Sequence, residues 1–267
     1  MQTGPAKAKG LPDFLMASKV HQLAEFGPLL ERLEASGIEY ALIGGLAVAH
    51  YGELYLTTEQ KAAHHFPIYS KDIDFRGGKD LFETIQREVV AAGMQLATGM
   101  GIIRPRAGMN RVPGYFMAVL LAGDATGIEI MERLPLHNLD LTELEVSGSA
   151  IRLARVTVLD PCTLLLAKLA AFYERPQGEA NHDAAHIAIL IDVIPAFLHD
   201  TIARFQSGST EYDPAGDAWR LLKVLERGRH PLPGEAAKTA GFTTQLRELV
   251  MSWLSQTGRA GADEHRS

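Results

Sequence analysis

The sequence predicts an α+β protein with an N-terminal α/β domain over residues 1–158 and a helical domain over residues 159–257. Two observations lead to this division. Up to residue 158, short strand-like runs bounded by turn residues alternate with segments of helical periodicity. From Asp160-Pro161 onward, apolar residues recur only at helical spacing. The polar end of the chain, residues 258–267, is predicted to be a disordered tail.

The elements of the N-terminal domain follow from periodicity and from glycine stops. In chain order, we expect a helix at Phe14–Leu33, a strand at Tyr40–Ile43, a helix from Leu46, a loop over residues 53–70, a strand at Ile73–Phe75 and a helix ending at Gly93. Turn signals then separate further predicted strands at Met94–Ala97, Tyr115–Leu121, Gly127–Met131, Leu144–Val146 and Ile151–Val158.

The first C-terminal helix has a clear predicted start. Asp160 is placed to cap it, and Pro161 suits the first helical position, where a backbone N–H has no helical partner. Apolar spacing predicts three more helices, over residues 183–205, 213–227 and 241–256.

The composition is that of an ordinary globular protein. Of 267 residues, 46% are hydrophobic and 22% are charged, and the formal charge of −6 argues against nucleic-acid binding through bulk charge. Cys162 is the only cysteine, so neither an intramolecular disulfide nor a cysteine-based zinc site is expected. The chain shows no signal-peptide pattern and no uninterrupted apolar run of membrane-spanning length. We therefore expect a cytoplasmic protein with no membrane partner.

An acid pair gives the first indication of chemistry. Asp72 and Asp74 are two residues apart in KDIDF, so on a strand both point to one face while Ile73 and Phe75 point to the other. Adjacent carboxylates repel unless a cation lies between them, and Mg²⁺ is bound through one or two carboxylates together with substrate phosphates. The alternative is a solvent-exposed strand face with two ordinary aspartates.

Two further features accompany the acid pair. Gly44-Gly45 ends the first strand, and the absence of side chains there would let backbone N–H groups at a helix N-terminus approach a phosphate. Glu129 lies between Ile128 and Ile130, so on a neighbouring strand it would add a third acid for two metal ions. The alternatives are that Glu132 is that acid, or that Glu129 has no catalytic role.

The ordered combination of IGGLAVAHYG, KDIDF and GIEIM resembles the nucleotidyltransferase superfamily with a DNA polymerase β-like fold. The segment VTVLDPCTLLLAKLAAFYERPQGEANHD is similar to the helical half of AbiEii-type bacterial nucleotidyltransferases, which are often toxins of toxin–antitoxin or phage-defence systems. The resemblance covers roughly residues 38–195. It implies a mixed sheet with flanking helices, followed by the helical domain.

The resemblance also implies a reaction and its residues. The protein would move an NMP from an NTP to a hydroxyl of RNA, protein or a small molecule, releasing pyrophosphate, and as a toxin it would have an antitoxin protein as partner. The implied catalytic residues, which would bind Mg²⁺ or Mn²⁺, are Asp72, Asp74 and Glu129. The implied nucleotide-binding residues are Gly44, Gly45, Lys168, Arg175 and Asp183.

Three departures from the family pattern support an alternative function. The interval before Asp72 includes LTTEQKAAHHFPIY, the third acid is Glu129 where Asp is commoner, and Asn181-His182 stands where a basic residue often precedes the later aspartate. The alternative is a catalytically degenerate nucleotidyltransferase-fold binding module. For Lys168, the alternative is a lysine on an apolar helix that extends its amine to solvent.

Two more polar clusters carry hypotheses of their own. His182 and His186 are four apart in HDAAH and share one helix face, as in zinc hydrolases, although Asp183 stands where those enzymes have a glutamate base and no third ligand is evident. The basic loop GIIRPRAGMNR could instead steer a triphosphate or RNA, or be an ordinary solvated loop. Its arginines are Arg104, Arg106 and Arg111.

Overall fold

The structure is a computed structural model. It describes residues 20–96, 101–102, 114–134, 136, 139, 148–174, 181–234 and 236–257. The predicted strand Leu144–Val146, the predicted tail and the basic loop with Arg104, Arg106 and Arg111 lie outside the described residues.

The described strands form one mixed sheet, which confirms the α+β class and the mixed sheet. The strands are β1 Ala41–Ile43, β2 Asp72–Arg76, β3 Gln95–Leu96, β4 Gly101–Ile102, β5 Gly114–Leu121, β6 Asp124–Met131, β7 Ala150–Leu153 and β8 Val156–Leu159. Their order is β3-β5-β6-β2-β1-β8-β7, and β4 also pairs with β5. At the centre, β2 runs antiparallel to β1 and parallel to β6, while β1 runs parallel to β8.

The helices flank this sheet and continue beyond its last strand. They are α1 Gly27–Ser36, α2 Gly44–Tyr55, α3 Thr58–Ala63, α4 Lys79–Ala91, α5 Pro161–Glu174, α6 Asn181–Gln206, α7 Ala215–Glu226 and α8 Ala236–Gln256. The change from strands to helices falls between β8 and α5, next to the predicted change at Asp160. Buried residues from strands and helices belong to one hydrophobic cluster, in which α2 packs against both α5 and α6.

The predicted helix at Phe14–Leu33 is wrong in its described part before Leu23. His21 pairs its backbone with Ser70, with His21 N donating to Ser70 O at 2.7 Å and Ser70 N to His21 O at 3.0 Å. A 3-10 helix follows at Leu23–Phe26, and α1 begins at Gly27 with Pro28 in its first turn. The long-range backbone bridge takes precedence over helical apolar spacing in this segment.

Two other predictions also need correction. Residues 53–70 were expected to form a loop, but α2 continues to Tyr55 and α3 follows, with Thr57 accepting a hydrogen bond from the backbone of Gln60 in a capping box. The single predicted strand Ile151–Val158 is a hairpin, because Ala154 and Arg155 adopt positive φ and turn the chain.

Helix α6 is long and apolar enough for a membrane span by length and composition. No span was expected there, because its apolar residues do not form an uninterrupted run. Core helices of soluble proteins have the same properties, and half of this stretch is buried within the protein. Ile187, Leu190, Ile194 and Phe197 are completely inaccessible to solvent. Packing against α2 and α5 therefore accounts for its apolar residues.

Candidate active site

The glycine pair lies where β1 ends and α2 begins. Gly44 has a φ of +73°, a backbone conformation that residues with a Cβ rarely adopt. A Cβ built on Gly44 would overlap Oδ2 of Asp74 and lie 2.7 Å from its Cγ. The Asp74 carboxylate therefore rests directly against the Gly44 backbone, and only glycine fits between β1 and this side chain.

Asp72 and Asp74 share one face of β2, as predicted. They are partly exposed, while Ile73 and Phe75 between and beyond them are fully buried. Asp74 lies opposite Ile43 on one side and Glu129 on the other, so it occupies the middle of three adjacent strands. Antiparallel pairing of β2 with β1 thus brings the acid to the glycine turn.

Glu129 lies on the strand adjacent to β2, in register with Asp74. Its flanking residues Ile128 and Ile130 are fully buried, whereas Glu129 is partly exposed, so the predicted alternation is confirmed. Thr126 helps to hold the two strands together, because its hydroxyl donates to the backbone oxygen of Lys71 at 2.8 Å. The role of Glu129 stays a prediction.

Asp72 lies beside Ser70 and Gly127, and the Phe116 ring covers Gly127. The Ser70 hydroxyl donates a hydrogen bond to Oδ1 of Asp72 at 2.9 Å. On the neighbouring strand Asp72 lies opposite Gly127, and a Cβ there would be 3.4 Å from the Asp72 Cβ. Ser70 therefore orients one oxygen of this carboxylate, a contact that the sequence did not indicate.

The donor set fits Mg²⁺ or Mn²⁺ in kind, since carboxylate oxygens are the ligands that such hard ions prefer. The three acids occupy one sheet face on adjacent strands. Across the described ranges, however, no group of three or more Asp, Glu, His or Cys side chains is placed close enough to hold a metal ion. The backbone thus aligns the acids, while their side chains are not gathered around one point.

Lys168 and Asp183 form an ion pair between α5 and α6. Lys168 Nζ donates to Asp183 Oδ1 at 3.3 Å, and the two side chains are 13% and 1% exposed. Lys168 therefore does not extend its amine freely into solvent, which was the alternative for this residue. The contact of either residue with a nucleotide stays a prediction.

His186 is a site residue that sequence reasoning assigned only to the zinc hypothesis. A Cβ built on Gly45 would lie 3.3 Å from Cε1 and 3.6 Å from Nε2 of His186, and 3.5 Å from the Ser70 hydroxyl oxygen. The first turns of α6 thus lie beside the start of α2. No sequence pattern predicts this contact, because Gly45 and His186 are far apart along the chain.

The zinc hypothesis for HDAAH gains no support from these positions. His182 is exposed and His186 is directed towards Gly45. Asp183 is engaged by Lys168, so it is not placed as a free general base. The part of the chain that the structure describes offers no third ligand to complete a zinc site.

The remaining candidates are placed as follows. Arg175 lies outside the described residues. Glu132, the competitor of Glu129, follows the end of β6, is exposed, and accepts a hydrogen bond from the Tyr115 hydroxyl at 3.1 Å. Glu129 is therefore the acid aligned with Asp74.

Comparison with known proteins gives no match to a protein-family model and no match to a curated protein.

Proposed function

We propose that the protein is a Mg²⁺-dependent nucleotidyltransferase with a polymerase β-like catalytic domain and a helical domain beginning after residue 158. One observation carries the proposal: the Asp74 carboxylate lies against the Gly44 backbone at the start of α2 and in register with Glu129. A phosphate held at this helix start would therefore lie next to the acids. The start of α2, which would bind phosphate, therefore lies beside the acids of β2 and β6, which would bind the cation.

The start of α2 supplies donors suited to a triphosphate. Ile43 at its N-cap position makes no side-chain capping hydrogen bond. The first N–H groups of a helix have no intrahelical partner, and the helix dipole favours negative charge there. Gly44 and Gly45 have no side chains, so phosphate oxygens would be able to approach these N–H groups closely.

The acids of β2 and β6 have separate roles in the proposal. Asp72, Asp74 and Glu129 would hold Mg²⁺, or Mn²⁺ in its place, which would supply charge stabilisation for the phosphates and the attacking oxygen. Asp74 is held by the glycine turn and Asp72 by Ser70, so both carboxylates are oriented before substrate binds. Glu129 would also accept the acceptor's proton.

The reaction is a displacement at the α-phosphorus. The acceptor hydroxyl oxygen forms a bond to that phosphorus, the bond from phosphorus to the oxygen bridging the α- and β-phosphates breaks, and pyrophosphate leaves. The hydroxyl proton passes to the Glu129 carboxylate or to water beside it. Lys168, held by Asp183, contributes positive charge towards the phosphates of the nucleotide.

The resemblance extends the proposal to the acceptor and the biological role. The acceptor is a hydroxyl of RNA, protein or a small molecule, and the protein acts as a cytoplasmic toxin held in check by an antitoxin protein. Induced expression in a bacterial host tests this role. Growth arrest by the wild type but not by Asp74→Asn is expected, and equal growth of both strains would contradict a toxin that works by nucleotidyl transfer.

A transfer assay tests the proposed reaction. Purified protein is incubated with Mg²⁺, each α-³²P-labelled NTP and pools of RNA, protein and small-molecule acceptors. We expect label transfer and pyrophosphate release that are lost in Asp74→Asn and Glu129→Gln. Asp80→Asn removes an exposed carboxylate in the first turn of α4 and should remain active. Transfer that persists in Asp74→Asn would refute the assignment.

The second candidate is a nucleotidyltransferase-fold binding module without catalysis. It is favoured by the absence, among the described residues, of a gathered three-ligand metal group. Calorimetry separates the two candidates, because the module should bind its partner without any Mg²⁺-dependent NTP signal. An NTP signal that requires Mg²⁺ and disappears in Asp72→Ala would exclude it.

A further inference from the structure

We propose that His186 binds the terminal phosphates of the triphosphate beside Gly45, the second residue of the glycine turn. This inference rests on the proposed function and adds to it a direction for the substrate. The α-phosphate would lie at the acid side, next to Asp74, and the β- and γ-phosphates would extend towards α6.

The direction follows from two consecutive glycines that face different side chains. The position of a Cβ on Gly44 is occupied by the Asp74 carboxylate, whereas the position of a Cβ on Gly45 is bordered by the His186 imidazole. One step along the backbone therefore leads from an anionic neighbour to a group that carries an N–H donor. A triphosphate crossing this turn would meet both groups.

Ser70 connects the two sides of the turn. Its hydroxyl donates to Asp72 at 2.9 Å, and the same oxygen lies 3.5 Å from the Cβ position of Gly45, beside His186. The backbone of Ser70 is fixed by its bridge to His21. The acid side and the His186 side are thus two parts of one continuous polar surface around Gly44-Gly45.

Lys168 lies next to the part of α6 that carries His186. Its partner Asp183 precedes His186 by three residues, so the two lie on the same face of α6. Asp183 is almost fully buried, and the Lys168 amine donates to it at 3.3 Å. A second donor, from α5, therefore lies near the first turns of α6.

Inorganic tripolyphosphate is the probe, because it carries the phosphates without base or sugar. Calorimetric titration in Mg²⁺ would compare the wild type with His186→Gln. We expect His186→Gln to weaken tripolyphosphate binding about tenfold or more, as expected for loss of a hydrogen bond to a charged group. Mn²⁺ binding at the acids, measured by electron paramagnetic resonance, should be unchanged in this variant.

His182→Gln is the matched control, since His182 is exposed one helical turn earlier on α6. It should bind tripolyphosphate as the wild type does. Gly45→Ala is a second, independent variant, because its methyl group would lie 3.3 Å from Cε1 of His186 and displace the imidazole slightly, and it should weaken tripolyphosphate binding too. Thermal unfolding of each variant shows whether the fold is retained.

The outcomes separate the two levels of the proposal. If the wild type binds no tripolyphosphate in Mg²⁺, the proposed function and the role of His186 both fail. If the wild type binds it and folded His186→Gln binds it equally well, only the role of His186 fails. Loss of Mn²⁺ binding in folded His186→Gln would show a general structural role and would also overturn the inference.

Discussion

Two groups of carboxylates in this protein have opposite surroundings. Asp72, Asp74 and Glu129 lie partly exposed on a sheet face, beside glycine backbone and the small Ser70. Asp160 and Asp217 are buried where β8, α5 and α7 meet. The first group (the open group) is partly exposed to solvent, whereas the second (the buried group) is enclosed by the protein.

The buried group is satisfied by hydrogen bonds from within the fold. Asp160 accepts from the backbone N–H groups of Thr163 at 2.8 Å and Ser149 at 3.0 Å. Asp217 accepts from the Tyr212 hydroxyl at 2.9 Å and from Arg220 at 3.0 Å. Asp160 thus caps α5 as predicted, and its chemistry is structural.

The comparison shows what distinguishes a candidate catalytic acid from a structural one. Both groups contain acids close in space, and both include a residue at the end of a strand or the start of a helix. The difference lies in what the acids contact: the backbone N–H groups of Thr163 and Ser149 for the buried Asp160, and the glycine turn for the partly exposed Asp74. Four predictions test this distinction, from the largest expected effect to the smallest.

Gly44→Ala should disrupt the open group most strongly. The new methyl group would overlap the Asp74 carboxylate, and displacement of a site residue by about 1 Å typically lowers activity about 100-fold. The overlap should also cost about 1–3 kcal/mol in the free energy of unfolding, beyond the cost of the positive φ. Mg²⁺-dependent NTP binding and urea unfolding measure the two effects.

Gly37→Ala is the matched control for this change. Gly37 ends α1 with a φ of +69° and has open space around its Cβ position. It should lose only about 1 kcal/mol from the backbone conformation and keep its NTP affinity. Equal loss of NTP binding in both variants would show that Gly44 acts through global stability and not through Asp74.

Lys168→Met tests an acid outside both groups, Asp183, which is buried like Asp160 and is also a predicted nucleotide-binding residue. Removal of one partner of a buried ion pair should lower the free energy of unfolding by about 3–5 kcal/mol. The double variant Lys168→Met, Asp183→Leu should recover much of that loss. Denaturant unfolding provides the comparison.

The double variant also separates structure from function. If the double variant is folded yet binds NTP weakly, the charge of Lys168 contributes to nucleotide binding as well as to stability. NTP binding at the wild-type level would limit this ion pair to a structural role. Arg32→Ala, which breaks an exposed pair with Glu88, should change stability by less than about 1 kcal/mol.

Asp160→Asn should alter the pH dependence of stability. Burial, together with the nearby charge of Asp217, raises the pKa of Asp160 from its ordinary value to about 7. The folded state therefore keeps the proton at pH values where the unfolded chain has released it. In the wild type, this group's contribution to stability is fully present below about pH 4 and is lost as the pH rises to about 7.

Asn at this position cannot ionise, so the free energy of unfolding of Asp160→Asn should not show this decrease between about pH 4 and pH 7. Its slope in the wild type should be on the order of 1 kcal/mol per pH unit at most. Urea unfolding at a series of pH values measures it. Identical pH profiles for the two proteins would show that Asp160 does not titrate in this range.

Tyr212→Phe should have the smallest effect of the four. It removes one donor to Asp217 while Arg220 remains, and the loss of a single buried hydrogen bond costs about 1 kcal/mol. Tyr115→Phe, whose hydroxyl donates to the exposed Glu132, should cost less. Thermal unfolding measures both, and a larger loss in Tyr115→Phe would reverse the expected order.

Features that depend on local sequence were predictable. Alternation around Asp72, Asp74 and Glu129 predicted the strand face that each acid occupies, and Asp160-Pro161 predicted the helix start. These predictions depend on residues within a few positions of each other. The strand face of each acid could be anticipated, although the roles of the acids stay predictions.

Features that depend on long-range packing were not predictable. The His21 bridge to Ser70 replaced the expected start of the first helix, and His186 reaches Gly45 only because α6 packs against α2. The orientation of Asp72 by Ser70 depends on a side-chain rotamer that no periodicity encodes. In each case, tertiary packing determines which residue His21, His186 or Asp72 contacts.

Calorimetric titration with non-hydrolysable NTP analogues, with and without Mg²⁺, tests the central claim most directly. The wild type and Asp160→Asn should both bind one of the analogues only when Mg²⁺ is present, because the buried group has no part in the site. Asp74→Asn should lose this binding while remaining folded. Metal-independent binding, or equal binding by Asp74→Asn, would contradict the assignment of the open carboxylates to a magnesium–nucleotide site.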